Sequence, residues 1–396
     1  MTTAPITSPY GHGTYFAALD GFRGLLAVVV AIYHTIWLSH INSSAFLNNG
    51  AIIIDVFFAF SGFLMFTLYA GKLTDGASIK RFLVKRFARL YPLHLFMLAV
   101  FLGFALLRLW AHQAGIASHE AGEVLPFQAG ADESWRNLVA HLTMTHAMGG
   151  ADALTFNPPS WTIGAEFYTY FLFVGFLVLT AGRRFGLGVA AILVLIIAGI
   201  YAWLAAIKPN MDITYDYGFY RCIAGFFIGV LAARLFRNGP SATIQKYATP
   251  LEIGLLTASV LFIIYCEGKL QFLAGPFLFG FVYLFAHDGG LVSRFMRGWV
   301  FTYLAKISYS VYMIHVIIAI AFAIGAEQVL GRAMPDWNAT GWGGDLLLLP
   351  YLAVVIGASH LTYHLIELPG GKAVRKLFSG VTKHSPKTPP TLKGDA

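Results

Sequence analysis

The chain has 396 residues, of which 57% are hydrophobic, 15% aromatic and only 12% charged, with a mean hydropathy of +0.67. Soluble domains carry about 25% charged residues, so these figures exclude an ordinary soluble enzyme, a disordered chain and an extended nucleic-acid-binding surface. The formal net charge is +8, and the placement of the cations decides what that means.

The N-terminal segment 1–15 contains no Lys or Arg, so it lacks the basic region of a cleavable signal. The first apolar stretch is therefore expected to be a retained helix. Ten apolar segments follow, each near the length that crosses a hydrocarbon core: 16–38, 50–70, 90–110, 162–181, 186–206, 217–236, 249–266, 271–287, 302–324 and 345–366. They lack the two-residue alternation of a membrane barrel, and a backbone in lipid must satisfy its polar groups internally. The sequence thus predicts an all-α polytopic membrane protein with about ten transmembrane helices.

Of the 27 Lys and Arg residues, 20 fall after even-numbered segments or in the tail, against four in the odd-numbered connections. By the positive-inside rule both termini are cytoplasmic, so the net charge is a topological signal and no nucleic acid partner is implied. The chain divides into a cytoplasmic segment 1–15, a transmembrane domain 16–370 and a basic cytoplasmic tail 371–396, polar enough at its end to be disordered. The longest non-cytoplasmic connection runs from about 111 to 161, with Trp135, Leu138, Leu142 and Met144 marking one short amphipathic helix. Cys222 and Cys266 lie in different apolar runs and read as core residues.

Ionisable residues inside spans are functional candidates by default. Arg23 and His34, eleven residues apart, share one face of the first helix about 16 Å apart along its axis. Arg23 could equally pair with Asp20, and His34 could be a satisfied core histidine. In the second helix Asp55 could pair with an imidazole or bind an acceptor, whereas Ser61–Gly62 fits close helix packing. Arg86 and Arg89, at i,i+3, could hold phosphate or anchor lipid headgroups. Glu166 in the fourth helix must be paired or protonated, beside Trp161, Tyr168 and Tyr170. Ser308, Tyr312 and His315 form a polar stripe in the ninth helix, suited to a donor passage. His360, His364 and Glu367 have a spacing that could hold a metal, but helix termination at Glu367-Leu368-Pro369 and pairing of Glu367 with Arg account for it, so no metal is expected. A P-loop, a GxSxG elbow and an HExxH pair are all missing from the sequence.

In order, LDGFRG with His34 eleven residues beyond Arg23, IDVFFAFSGFL, KRFARLYP, SWTIGAEFYTYF and ISYSVYMIH resemble the acyltransferase-3 family of integral membrane O-acyltransferases, from about Leu19 to Pro369. The resemblance implies an acyltransferase that takes an acyl group, usually acetyl, from coenzyme A in the cytoplasm. It would place that group on a hydroxyl of an envelope or exported carbohydrate or glycolipid, at the bacterial inner membrane. The family's arginine–histidine motif falls on Arg23 and His34, its cytoplasmic arginine pair on Arg86 and Arg89, and its Ser-Trp…Glu block on Ser160, Trp161 and Glu166. Gly164, Ala165 and Phe167 depart from the family's bulkier residues around that glutamate, which makes the acceptor less transferable than the donor. Some relatives carry a fused extracytoplasmic hydrolase-like domain; this chain is expected to act alone or with a separate partner.

The expected mechanism makes His34 the general base for the acceptor hydroxyl, with Glu166 or Asp55 orienting its ring. Arg23, Arg86 and Arg89 would hold the phosphates of acetyl-CoA, Ser308 and Tyr309 would line the pantetheine passage, and Ser160, Trp161 and Tyr312 are assigned to substrate binding. A transporter or flippase of a lipid-linked sugar or acyl group is the alternative. The acceptor, the acyl chain, an acyl-enzyme route and homo-oligomer formation stay open.

Overall fold

The computed structural model describes residues 16–116, 124–180, 185–237, 239–330 and 341–379. The segment 1–15, the Arg183–Arg184 pair and the tail beyond 379 lie outside them. The described residues are helical, without strands. The helices are α1 Ala17–Tyr33, α2 Ala45–Asn48, α3 Ile53–Tyr69, α4 Gly76–Gln113, α5 Trp135–Leu142, α6 Trp161–Leu179, α7 Leu187–Ile207, α8 Gly218–Phe236, α9 Ala242–Tyr265, α10 Gly275–Phe285, α11 Leu291–Met296, α12 Trp299–Leu330, α13 Trp342–Thr362 and α14 Leu368–Ser379.

Among the described residues nine helical runs are long and apolar enough to cross a membrane. They match the second to tenth expected spans. The first expected span falls on α1, whose 17 residues measure about 25 Å at 1.5 Å per residue; it is not one of the nine and stops at His34 instead of reaching residue 38. Two spans begin earlier than expected because their N-termini are capped. Asp75 closes a capping box with Ser78, whose backbone N–H donates to Asp75 Oδ1 at 2.7 Å. The basic stretch and the apolar stretch that follows thereby become one 38-residue helix, α4. Ser241 caps α9 in the same way and the helix bends at Tyr247, three residues before Pro250, whose ring nitrogen has no hydrogen to donate.

The last span also differs from expectation. Glu367-Leu368-Pro369 does not end the helix. Residues 363–367 form a π turn and α14 continues beyond it, the widened turn absorbing the bond that Pro369 cannot make. The tail boundary at 371 therefore falls inside α14. This helix seats closely on α4: a Cβ on Gly370 would lie 2.5 Å from Pro92 Cβ, and one on Gly371 2.8 Å from the Ala88 carbonyl oxygen.

Small residues set the other close crossings. A Cβ on Gly62 would lie 1.8 Å from the Phe226 carbonyl and one on Gly229 1.9 Å from that of Ala59, so α3 and α8 touch backbone to backbone. Gly24 does the same for α1 against Ala305 of α12. At one end of the bundle Arg237 stacks 5.1 Å over Phe66 and Phe16 meets Phe236. This basic end joins the start of α1, the end of α3 and the end of α8. His34, α5 and residues 208–217 lie at the other end. Both cysteines are free thiols.

Candidate active site

A cavity of about 180 Å³ opens inside the bundle between α1, α3, α4, α6 and α12. Its walls are mostly apolar, yet Arg23, Arg86 and Arg89 all reach it, together with Glu166, Ser308, Tyr309 and Tyr312. Seven of the residues singled out in the sequence thus meet in one place, though they come from four helices.

The three guanidiniums are held differently. Arg23 pairs with Asp20 at 2.9 Å and donates to the Ala305 carbonyl at 3.3 Å, which Gly24 brings close. Arg86 lies over the rings of Tyr69 and Phe82 at 5.7 and 5.8 Å. Arg89 lies 5.4 Å over Tyr309 and pairs with Glu367, whose other oxygen accepts from Ser310 at 2.8 Å. The seat of α14 on α4 is what brings Glu367 there. The Nε atoms of Arg23 and Arg86 are buried without a hydrogen-bond partner among the described residues. The charges of Arg23 and Arg86 also bear on Arg89. Two of the three cations have a carboxylate partner, Arg23 in Asp20 and Arg89 in Glu367, so it is the buried N–H donors left over in an apolar chamber that suit an anion.

Deeper in the cavity Glu166 accepts hydrogen bonds from Ser61 and, at 2.6 Å, from the Tyr170 hydroxyl. Packing accounts for Gly62 but not for Ser61, which lines the cavity. Ser308 Oγ donates to the Ala305 carbonyl at 2.9 Å and Tyr309 to that of Leu90. Tyr312 donates to the Pro159 carbonyl at 2.9 Å and accepts from Thr162 at 3.0 Å, fixing α6 against α12.

Other expected site residues lie elsewhere. His34 is not among the cavity's lining residues. It caps α1, with its Nδ1 donating to the Val30 carbonyl at 2.9 Å, so a backbone oxygen, and neither Glu166 nor Asp55, holds that nitrogen. Its ring lies 4.9 Å from that of His315, and His315 lies 5.9 Å from the cavity residue Tyr312. The imidazole pair therefore stands just beyond the cavity's Tyr312 wall. His315 is turned toward His34 instead of toward a donor passage.

Asp55 is fully buried in an ion pair with Arg221. Arg221 Nε donates to both carboxylate oxygens at 3.2 and 3.1 Å, Nη2 to Oδ2 at 2.7 Å and Nη1 to the Ile213 carbonyl at 3.1 Å. Trp161 covers this guanidinium at 5.5 Å. Ser160 is buried away from the cavity, 3.4 Å from His141 Nδ1 and 3.2 Å from His146 Nε2.

His141 and His146 stack with ring centres 4.0 Å apart, and His94 lies 5.6 Å from His146. Gly164 permits this arrangement, because a Cβ there would meet the Met144 carbonyl at 2.4 Å. Burial, reinforced by the charge His94 would carry, pushes His146 down to about 3. Burial followed by its two imidazole neighbours takes His141 well below the ordinary histidine range. Both are therefore neutral near pH 7. Among the described residues no group of His, Cys, Asp and Glu could hold a metal.

A family model described as an acyltransferase domain, of the acyltransferase-3 type, matches residues 16–364. "Protein 2 in picA locus" of Rhizobium radiobacter is 38% identical over 87 residues, 22% of this chain and 43% of that protein. Proteins named "Putative O-acetyltransferase" from Staphylococcus aureus strains COL and MW2 are each 25% identical over 328 residues, 77% of this chain and 51% of theirs. The chain thus spans about half the length of these curated relatives. No solved structure matches it.

Proposed function

The chain belongs to the acyltransferase-3 family, and on that premise we propose that it moves an acyl group, acetyl first among them, from acyl-CoA to a hydroxyl of an envelope or exported carbohydrate. The observation that carries this reading is the cavity in which Arg23, Arg86 and Arg89 converge, with two guanidinium Nε atoms buried and without a partner among the described residues. Phosphate and pyrophosphate satisfy such donors well. The basic end then faces the cytoplasm, in keeping with the cation count, and the membrane is the bacterial inner membrane.

A cavity of about 180 Å³ is well above the ~10–15 Å³ that a single water needs. That admits the thioester end of a donor and leaves the nucleotide at the mouth, against the arginines. Ser308 and Tyr309 then line the donor's passage, and Tyr312 stands between them and the His315–His34 pair. A thioester is already activated, so the protein's task is to deliver a hydroxyl without its proton where water is excluded. His34 is the base, its Nε2 left with a lone pair because Nδ1–H is committed to Val30. General-base action of this kind contributes about 10²- to 10⁴-fold.

The test uses membrane vesicles from the native host, with its glycans in place, and radiolabelled acetyl-CoA. Ester-linked label should appear on vesicle carbohydrate, and a folded His34→Ala protein should lose at least about 100-fold. Transfer near wild-type from His34→Ala would remove the base assignment. Protein-dependent movement of labelled sugar without acyl transfer from acetyl-, propionyl- or succinyl-CoA would replace the enzyme by a transporter.

A further inference from the structure

The stripe of His360, His364 and Glu367 splits in the structure. Residues 363–367 form a π turn, and Glu367 turns inward to Arg89 and Ser310. His360 and His364 stay exposed on the outer face, with ring centres 4.6 Å apart. From α12, the Tyr303 hydroxyl lies 2.8 Å from His360 Nδ1. Lys306, three residues on, sets its ammonium 5.3 Å over the Tyr363 ring, and its charge bears on His364. The seam between α12 and α13 thus carries an ammonium and two imidazoles on the outside of the bundle.

The face around them is apolar: Leu361 and Leu365 are 57% and 67% exposed. Ionisable side chains turned toward lipid are rare and need a partner, and the protein supplies little. Among the described residues Lys306 makes no ion pair and His364 no hydrogen bond. The face of a ring attracts an ammonium but leaves its three N–H donors unmatched. The two carboxylates that α1 and the last span carry at this end are committed, Asp20 to Arg23 and Glu367 to Arg89. The depth suits a headgroup. Trp299 and Phe295 are 80% and 66% exposed at the start of α12, where aromatic residues mark a membrane boundary. Lys306 stands seven residues further, about 10 Å along the axis, and a helical side chain leans back toward the N-terminus, so its stem carries the ammonium toward that boundary.

We propose that this seam is a binding site for an anionic phospholipid, its phosphate held by Lys306, His360 and His364 and an acyl chain laid against Leu361 and Leu365. Phosphate oxygens accept from ammonium and imidazole N–H groups in charge-assisted bonds, and one negative headgroup balances one lysine. A zwitterionic lipid brings an ammonium of its own and loses that balance. The site is separate from the cavity and independent of the reaction assigned to it.

Native mass spectrometry of the detergent-solubilised protein, titrated with dioleoylphosphatidylglycerol or dioleoylphosphatidylcholine, tests this. Wild-type should bind one phosphatidylglycerol at least about tenfold more tightly than phosphatidylcholine, the effect of one charged hydrogen bond. Lys306→Gln combined with His364→Gln should erase that preference. Lys246→Gln, at an exposed lysine of α9, should keep it. Equal affinity of the wild-type for the two lipids overturns the proposal without any variant, which covers a double variant that fails to fold. A folded double variant with the wild-type preference also overturns it. So does a Lys246→Gln protein that loses the preference, because the attraction is then spread over the basic end. Inorganic phosphate at the lipid's own concentration should leave the lipid bound; displacement by it would make the ligand a free anion and overturn the lipid assignment.

Discussion

Asp55→Ala should be among the most damaging single substitutions in the chain, for a reason unconnected with chemistry at the acyl group. Arg221 is 1% exposed and its guanidinium makes three bonds to Asp55 besides those to the Ile213 and Ala51 carbonyls. Removing the carboxylate leaves a buried cation with two backbone carbonyls and the face of Trp161. Breaking a buried pair from one side costs about 3–5 kcal/mol, against a total stability of roughly 5–15 kcal/mol for a folded domain. Thermal unfolding of the detergent-solubilised protein, followed by intrinsic tryptophan fluorescence, reads this directly. Replacing both partners, Asp55→Leu with Arg221→Met, should recover most of the loss, because exchanging a whole buried pair for apolar residues is often neutral. If the double variant also recovers acyl transfer, Asp55 is structural; if it refolds and stays inactive, Asp55 acts on the reaction. A single Asp55→Ala variant costing less than about 1 kcal/mol would refute the argument.

Arg86, held by the Tyr69 hydroxyl at 3.4 Å, makes no ion pair among the described residues, so Arg86→Gln should raise KM for acetyl-CoA about 10- to 100-fold, at about 1.5–3 kcal/mol for a charged hydrogen bond, with kcat little changed; a lower kcat at constant KM would place the donor elsewhere. The His141–His146 stack sets a pH dependence of stability. An unfolded histidine titrates near 6.5 and folded His146 near 3, so between those values the unfolded state binds the extra proton and stability is lost as the pH is lowered. Each such group loses about 1.4 kcal/mol per pH unit below 6.5, read as a melting temperature that drops from pH 6.5 to 5. His146→Phe, which keeps a stacked ring, should flatten that slope, and an unchanged slope would assign it to other groups.

The spans were legible because lipid imposes a length and an absence of charge, which any segment reports about itself. The residues lining the cavity were legible for a related reason: a cation or a carboxylate in an apolar run declares that it faces something polar. Who pairs with whom was not. Asp55 and His34 stand near the same end of the bundle, but the partner of Asp55 is Arg221, an arginine one turn into an apolar run with no periodic companion to mark it. His315 sits on the stripe with Tyr312, and its spacing gives no sign that His34 would lie across from it. Ser61 looked like half of a packing pair because Gly62 is one, and adjacent helix positions point in different directions. The three stacked imidazoles needed a carbonyl laid over Gly164, a contact between residues twenty apart that periodicity does not carry.

The ion pair between Arg89 and Glu367 has a consequence for the order in which the protein is made. Its two halves lie 278 positions apart, so the carboxylate leaves the ribosome long after the guanidinium it neutralises. Until Glu367 inserts, the nascent bundle holds Arg89 in the chamber without its carboxylate. Seating α14 on α4 thus completes the wall beside Arg89, and a chain cut short before that helix would be left with a breach there.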